Sequence, residues 1–118
     1  MTSRLTKAQI AERDEARERL RAMFAEIERP VVHTVLRSVS RSGMSRDISL
    51  LVANGGELVD ITYYAAKATG HRLIDKGRRA IRVHGCGMDM GFSLVYDLSH
   101  TLFSPAERAG YVISHRWA

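Results

Sequence analysis

Residues Ile48 to Ile61 read ISLLVANGGELVDI, two β-rich runs on either side of Asn54-Gly55-Gly56. Glycine adopts positive φ without steric cost, so the tripeptide predicts a tight reversal between strands at Ile48–Ala53 and Glu57–Ile61. Upstream, Val31 to Val39 (VVHTVLRSV) is rich in β-branched residues and predicts the first strand of an antiparallel meander. Downstream, Asp60 or Thr62 is placed to cap a short helix over Tyr63–Thr69, with Gly70 as its left-handed stop. Arg79 to His84 alternates as a fourth strand, and Gly85 to Gly91 forms a glycine-rich loop. Phe92, Val95, Tyr96, Ser99, Leu102 and Phe103 then recur at helical spacing, up to a stop at Ser104-Pro105. A short last strand is expected at Tyr111–Ser114, with Trp117 beyond it.

Before the first strand, Thr6 to Glu28 reads as one long helix. Thr6 and Gln9 have capping-box spacing, and Pro30 ends the helix. Its apolar stripe (Ile10, Leu20, Met23, Phe24, Ile27) is dense only in the second half. Ala11 to Arg19 is nearly all charge and alanine, either a solvated face or a projection that meets a partner or a second copy. Together these elements predict an α+β fold: a small, mainly antiparallel sheet of about four strands with two or three packed helices. Residues 1–30 form a charged helix and residues 31–118 a single α+β domain.

With 118 residues, 45% hydrophobic and 26% charged, the chain suits one domain that buries a modest core. Cys86 is the only cysteine, so no internal disulfide is expected. The first thirty residues lack the apolar stretch of a signal peptide, and no run of about 18 apolar residues occurs. A cytoplasmic location without membrane contact is therefore expected. Net charge is +5, and only Lys7, Lys67 and Lys76 of the 18 basic residues are lysines. Guanidinium groups present a planar fork of donors suited to phosphate, so the balance points toward nucleotide or nucleic-acid partners.

Two loops exceed what chain reversal requires. Ser40-Arg41-Ser42-Gly43-Met44-Ser45-Arg46 sets three hydroxyls and two guanidinium groups around a glycine, with Arg37 just before it. Arg37, Arg41 and Arg46 are expected to converge on one anion, with Ser40, Ser42 and Ser45 as hydroxyl partners. The alternative is a solvated turn whose serines bond locally to backbone. Gly85-Cys86-Gly87-Met88-Asp89-Met90-Gly91 offers free amides where a helix begins, yet it matches neither a Walker loop nor a dinucleotide fingerprint. Asp89 is either the N-cap of that helix or an acceptor for base or ribose, while Gly85 and Gly87 allow close approach.

Catalytic signals are sparse. His84 and Cys86 would share a strand face, as Cys–His chemistry needs, but the sequence places no orienting acid other than Asp89 as a candidate, and the flanking glycines fit a packing role. His33, His71, His84, His100 and His115 lack paired ligand spacing, so no metal or other cofactor is expected. Tyr63, Lys67 and His71 lie roughly on one side of the short helix. There an aromatic could stack a base, or one Tyr could pack in the core while the other covers its rim.

The SRSGMSR motif at Ser40–Arg46, the YAAKA stretch at Tyr64–Ala68 and the GCGMDMGF motif at Gly85–Phe92, with Tyr96 and Leu98, resemble short accessory proteins of tailed phages and prophages. The resemblance covers about Val31 to Phe103. It implies a phage accessory protein acting by binding inside a bacterial host cell. The expected ligand bears phosphate, such as a nucleotide immune signal sequestered against host defence. The alternatives are nucleic acid, or a host protein inhibited directly. A homo-oligomer through the N-terminal helix is also expected.

Overall fold

The computed structural model describes residues 4–76, 78–85, 89–110 and 113–118. Its elements are α1 (Lys7–Ala25), β1 (Val31–Val39), β2 (Ser45–Asn54), β3 (Glu57–Asp60), α2 (Thr62–Thr69), β4 (Arg72–Lys76), β5 (Arg78–His84), α3 (Met90–Leu102), α4 (Pro105–Gly110) and β6 (Ser114–Trp117). The α+β expectation holds, with six strands among the described residues rather than about four. Strand order is β4-β5-β2-β1-β6, and β3 also pairs with β2. Every pairing is antiparallel except β1 with β6, so the sheet is mixed.

β2 is the axis of the sheet. One edge pairs with β1 along its length, and the other is shared by β5 at Ser45–Ile48 and β3 at Leu51–Asn54. Gly55 (φ 63°) and Gly56 (φ 88°) make the two-residue reversal between β2 and β3 that Asn54-Gly55-Gly56 signals. In the β1–β2 pairing the register shifts between Leu36 and Ser38, leaving Arg37 as the extra residue of a bulge.

All three long helices pack on one face. Val32, Ile48, Leu50, Val52 and Ile81 from the strands share one core with Leu20 and Phe24 of α1, Ala65 and Ala68 of α2, and Leu94 and Leu98 of α3. The charged N-terminal helix is thus anchored in the same core as residues 31–118. Its first turn carries the expected capping box, Gln9 N–H to Thr6 Oγ1 and Thr6 N–H to Gln9 Oε1. Arg17 Nε donates to the Ala68 carbonyl at the end of α2, and Arg21 Nη1 to the Leu102 carbonyl at the end of α3. These are the orphan carbonyls that a helix leaves at its C-terminus. The charge of α1 therefore ties helix to helix as well as facing water. Among the described residues, no helix is long and apolar enough to cross a membrane.

Two strands differ from expectation. β4 has no long apolar run, since RLIDK is mostly charged. The last strand lies at Ser114–Trp117 rather than Tyr111–Ser114, where Tyr111 and Val112 fall outside the described residues. Ser104-Pro105 ends one helix and also begins another, because Ser104 and Glu107 form a second capping box at α4. Fully buried, Phe24 tests whether α1 belongs to the cooperative unit. Phe24→Ala is expected to cost about 3–5 kcal/mol in a single urea transition; a merely projecting helix would lose far less.

Candidate functional site

The Ser40–Arg46 hairpin is organised from within. Ser40 Oγ accepts from Ser45 N–H (3.0 Å), Ser42 Oγ accepts from Met44 N–H (3.3 Å), and Gly43 sits at φ 75°. Ser40 and Ser42 thus follow the local-turn reading. Ser45 reaches across to β5, its Oγ 2.7 Å from His84 Nδ1.

The three arginines do not converge. Arg37 Nε donates to Ser49 Oγ (3.0 Å) on the face of the sheet away from the helices, whereas Arg46 Nη1 lies 3.4 Å from Met90 Sδ on the helix side. The reason is the pleat. Val39 pairs with Arg46, and the bulge places Arg37 with Ser38 on the opposite face. Arg41 stands exposed at the turn.

The two motif loops nevertheless abut, since Gly85 N–H donates to the Met44 carbonyl at 2.8 Å. Cys86, Gly87 and Met88 lie outside the described residues. Asp89 is the N-cap of α3: Oδ1 accepts from Phe92 N–H (3.0 Å) and Oδ2 from Trp117 Nε1 (3.2 Å). The Phe92 bond, helped by Trp117 and His115, holds its carboxyl below the usual range. The glycine that permits close approach is Gly91, where an added Cβ would meet Trp117 at 2.6 Å and His115 at 2.7 Å.

A site that the motifs alone do not reveal opens between α3 and the β4–β5 pair. It is a cavity of about 840 Å³ whose lining includes His71, Arg72, Arg82, His84, Phe92 and Tyr96. Phe92 (56% exposed) and Tyr96 (53%) stand in solvent, stacked at 6.2 Å, although their helical spacing reads as part of a buried stripe. The stripe that α3 buries is Met90, Leu94, Leu98 and Leu102, with Gly91 and Val95. His100 continues the exposed row, 3.9 Å from Tyr96.

A smaller cavity of about 260 Å³ adjoins it, lined by Ser38, Ser40, Ser45 and Asp47 and by the same Arg72, Arg82 and His84. One wall therefore serves an aromatic compartment and a hydroxyl-rich one. Asp47 is 8% exposed and is gripped by Arg82 through Nε (2.9 Å) and Nη2 (3.1 Å), with Ser38 Oγ at 2.7 Å. The Arg82 bonds hold its carboxyl below the usual range against the opposing effect of burial. Arg72 is exposed and donates no hydrogen bond among the described residues. Tyr63 and Tyr64 divide as rim and core: Tyr64 packs against the core, and Tyr63 lies beneath Lys67 and Arg79. His71 turns to Asp97 (3.5 Å) across the larger cavity.

Burial lowers the pKa of His71 despite Asp97, and that of His115 despite Asp89. Unfolded imidazoles bind a proton near pH 6.5. The unfolded chain therefore holds more protons just below that pH, and stability contributed by neutral His71 and His115 is complete above it and lost as pH falls. Tm is expected to drop between pH 7.5 and 5.5, and the double variant His71→Asn, His115→Gln should flatten that slope. Gly91→Ala should cost about 1–3 kcal/mol by overpacking and shift the emission of Trp117, the only tryptophan. Comparison of the chain with protein-family models, curated proteins and solved structures finds no match to any of them.

Proposed function

We propose that the protein binds a phosphate-bearing ligand with a planar ring, a nucleotide, and does so by capture rather than turnover. The observation that carries this reading is the shared wall: Arg72, Arg82 and His84 stand between the Phe92–Tyr96 compartment and the Ser38–Ser40–Ser45 compartment. Aromatic side chains stack bases with little regard to sequence, at about 1–3 kcal/mol each. Hydroxyl and guanidinium groups suit phosphate oxygens. The base would lie along α3, and the phosphate would cross the sheet edge toward Ser40 and Ser45, with Arg72 as its main cation. These cations replace Arg37, Arg41 and Arg46 in the role that the hairpin motif suggests.

Capture is favoured because Asp47, the carboxylate buried beside the smaller cavity, is already held by Arg82 and Ser38 and is not placed as a general base. Joined to the resemblance to phage accessory proteins, the reading extends to sequestration of a nucleotide signal of host defence inside the bacterial cell.

Calorimetric titration with ATP, AMP, a 3′,5′-linked dinucleotide and inorganic phosphate tests it. At least one ring-bearing phosphate should bind, inorganic phosphate alone should bind at least tenfold more weakly, and the bound molecule should be recovered intact by chromatography. Tyr96→Ala and Arg72→Glu should each weaken binding about tenfold or more with Tm nearly unchanged. Absence of binding by all four probes overturns the proposal, and recovery of a hydrolysed ligand overturns capture in favour of turnover.

A further inference from the structure

The face of the sheet opposite the helices carries an array of cations that shares Arg72 and Arg82 with the site above and extends beyond it to Arg37 and Arg116. Alternation fixes which residues belong to it. Ile48 and Leu50 are buried toward the helices, so Asp47, Ser49 and Leu51 point the other way. Arg37, through Ser49, and Arg82, through Asp47, join them. Register adds Arg72 opposite Arg82, His33 opposite Leu51, Arg116 opposite His33 and, as the one exposed carboxylate among these partners, Asp60 on the other side of Leu51. No described helix packs on this side.

We propose that this face binds the phosphate backbone of nucleic acid without regard to sequence. Charge complementarity selects the occupant. Arg116, Arg37 and Arg72 occupy β6, β1 and β4, three different strands of one open surface. With strands about 4.8 Å apart and residues about 3.3 Å apart along a strand, successive cations stand roughly 14 Å from one another. Arg37 uses only Nε internally, the exposed side chains of Arg72 and Arg116 make no hydrogen bond among the described residues, and Arg72 faces Asp47 only through space, so their outer donors can reach phosphate. An acidic protein partner would match the sign of the charge but not its regular spread. A second copy stacked face to face would set arginine against arginine. Bases are not read here, because no Phe, Tyr or Trp of the described residues stands on this face to stack them.

Arg72 serves both readings, but the cavities of the proposed nucleotide site include neither Arg37 nor Arg116, so substitutions at those two residues test this face alone. Fluorescence anisotropy with a labelled 20-nucleotide single strand, and with a 20-base-pair duplex of unrelated sequence, measures binding at 50 to 200 mM salt. At least one probe should bind. With about three phosphate contacts, the slope of log K against log salt should be about −2 for a single strand or −3 for duplex. The double variant Arg37→Gln, Arg116→Gln should lose tenfold or more at 50 mM salt and show a shallower slope, with Tm lowered only by the lost Arg37–Ser49 bond and the chain still folded. Tyr96→Ala should bind these probes as the unaltered chain does. Failure of both probes at 50 mM salt, undiminished binding by the double variant, or binding of polyglutamate in preference to nucleic acid would each overturn the proposal.

Discussion

Arg82 holding Asp47 by two bonds is the contact on which the layout rests. It joins β5 to β2, and Ser38 Oγ, donating to the same Oδ2 that Arg82 Nη2 reaches, carries the link to β1. Asp47 is almost fully removed from water, and a carboxylate in that position persists only with its charge answered and its lone pairs filled. Three strands are thus keyed in register by one cross-sheet row. The same pair leaves Arg72, the next residue of that row, as the cation that faces outward. Both proposed binding surfaces grow from it.

Much of the arginine content is structural. Arg17 and Arg21 satisfy carbonyls at the ends of α2 and α3, and Arg108 donates to the Phe103 carbonyl at 2.6 Å. Because helix ends collect unpaired carbonyls and partial negative charge, three helices meeting on one sheet face create a local demand for donors. A basic composition follows in part from the architecture. What remains for partners is the set on the sheet and its edge, chiefly Arg37, Arg72 and Arg116.

The features legible in the sequence are those decided by neighbours in the chain. Gly55 and Gly56 turn where they should, Thr6 and Gln9 close their box, Gly70 ends α2 at φ 76°, and Asp89 caps α3. Features decided at a distance were opaque. β4 needs only Leu73 against the core, so its five residues carry no apolar run. β6 pairs with a strand some eighty residues earlier and has no hairpin to announce it. Phe92 and Tyr96 share the helical period of the core stripe, and only the direction taken by Leu94 and Leu98 shows them to be outside it. The arginine motif misled for a related reason: proximity along a strand says nothing about face once a bulge intervenes.

The parallel union of β6 with β1 has a consequence for the order in which the molecule assembles. Strands β1, β2 and β3 are linked by short reversals and can find one another early, since closing a small loop costs little entropy. β6 must wait for a closure spanning most of the chain, and topologies with such distant partners fold slowly. Until it arrives, the flank of β1 is an unpaired edge and Gly91 lacks the indole that covers it. Docking of β6 covers Val31–Thr34 and hands that margin of the sheet to a four-residue strand, a short edge that offers little to unwanted association, with Trp117 seated against the start of α3.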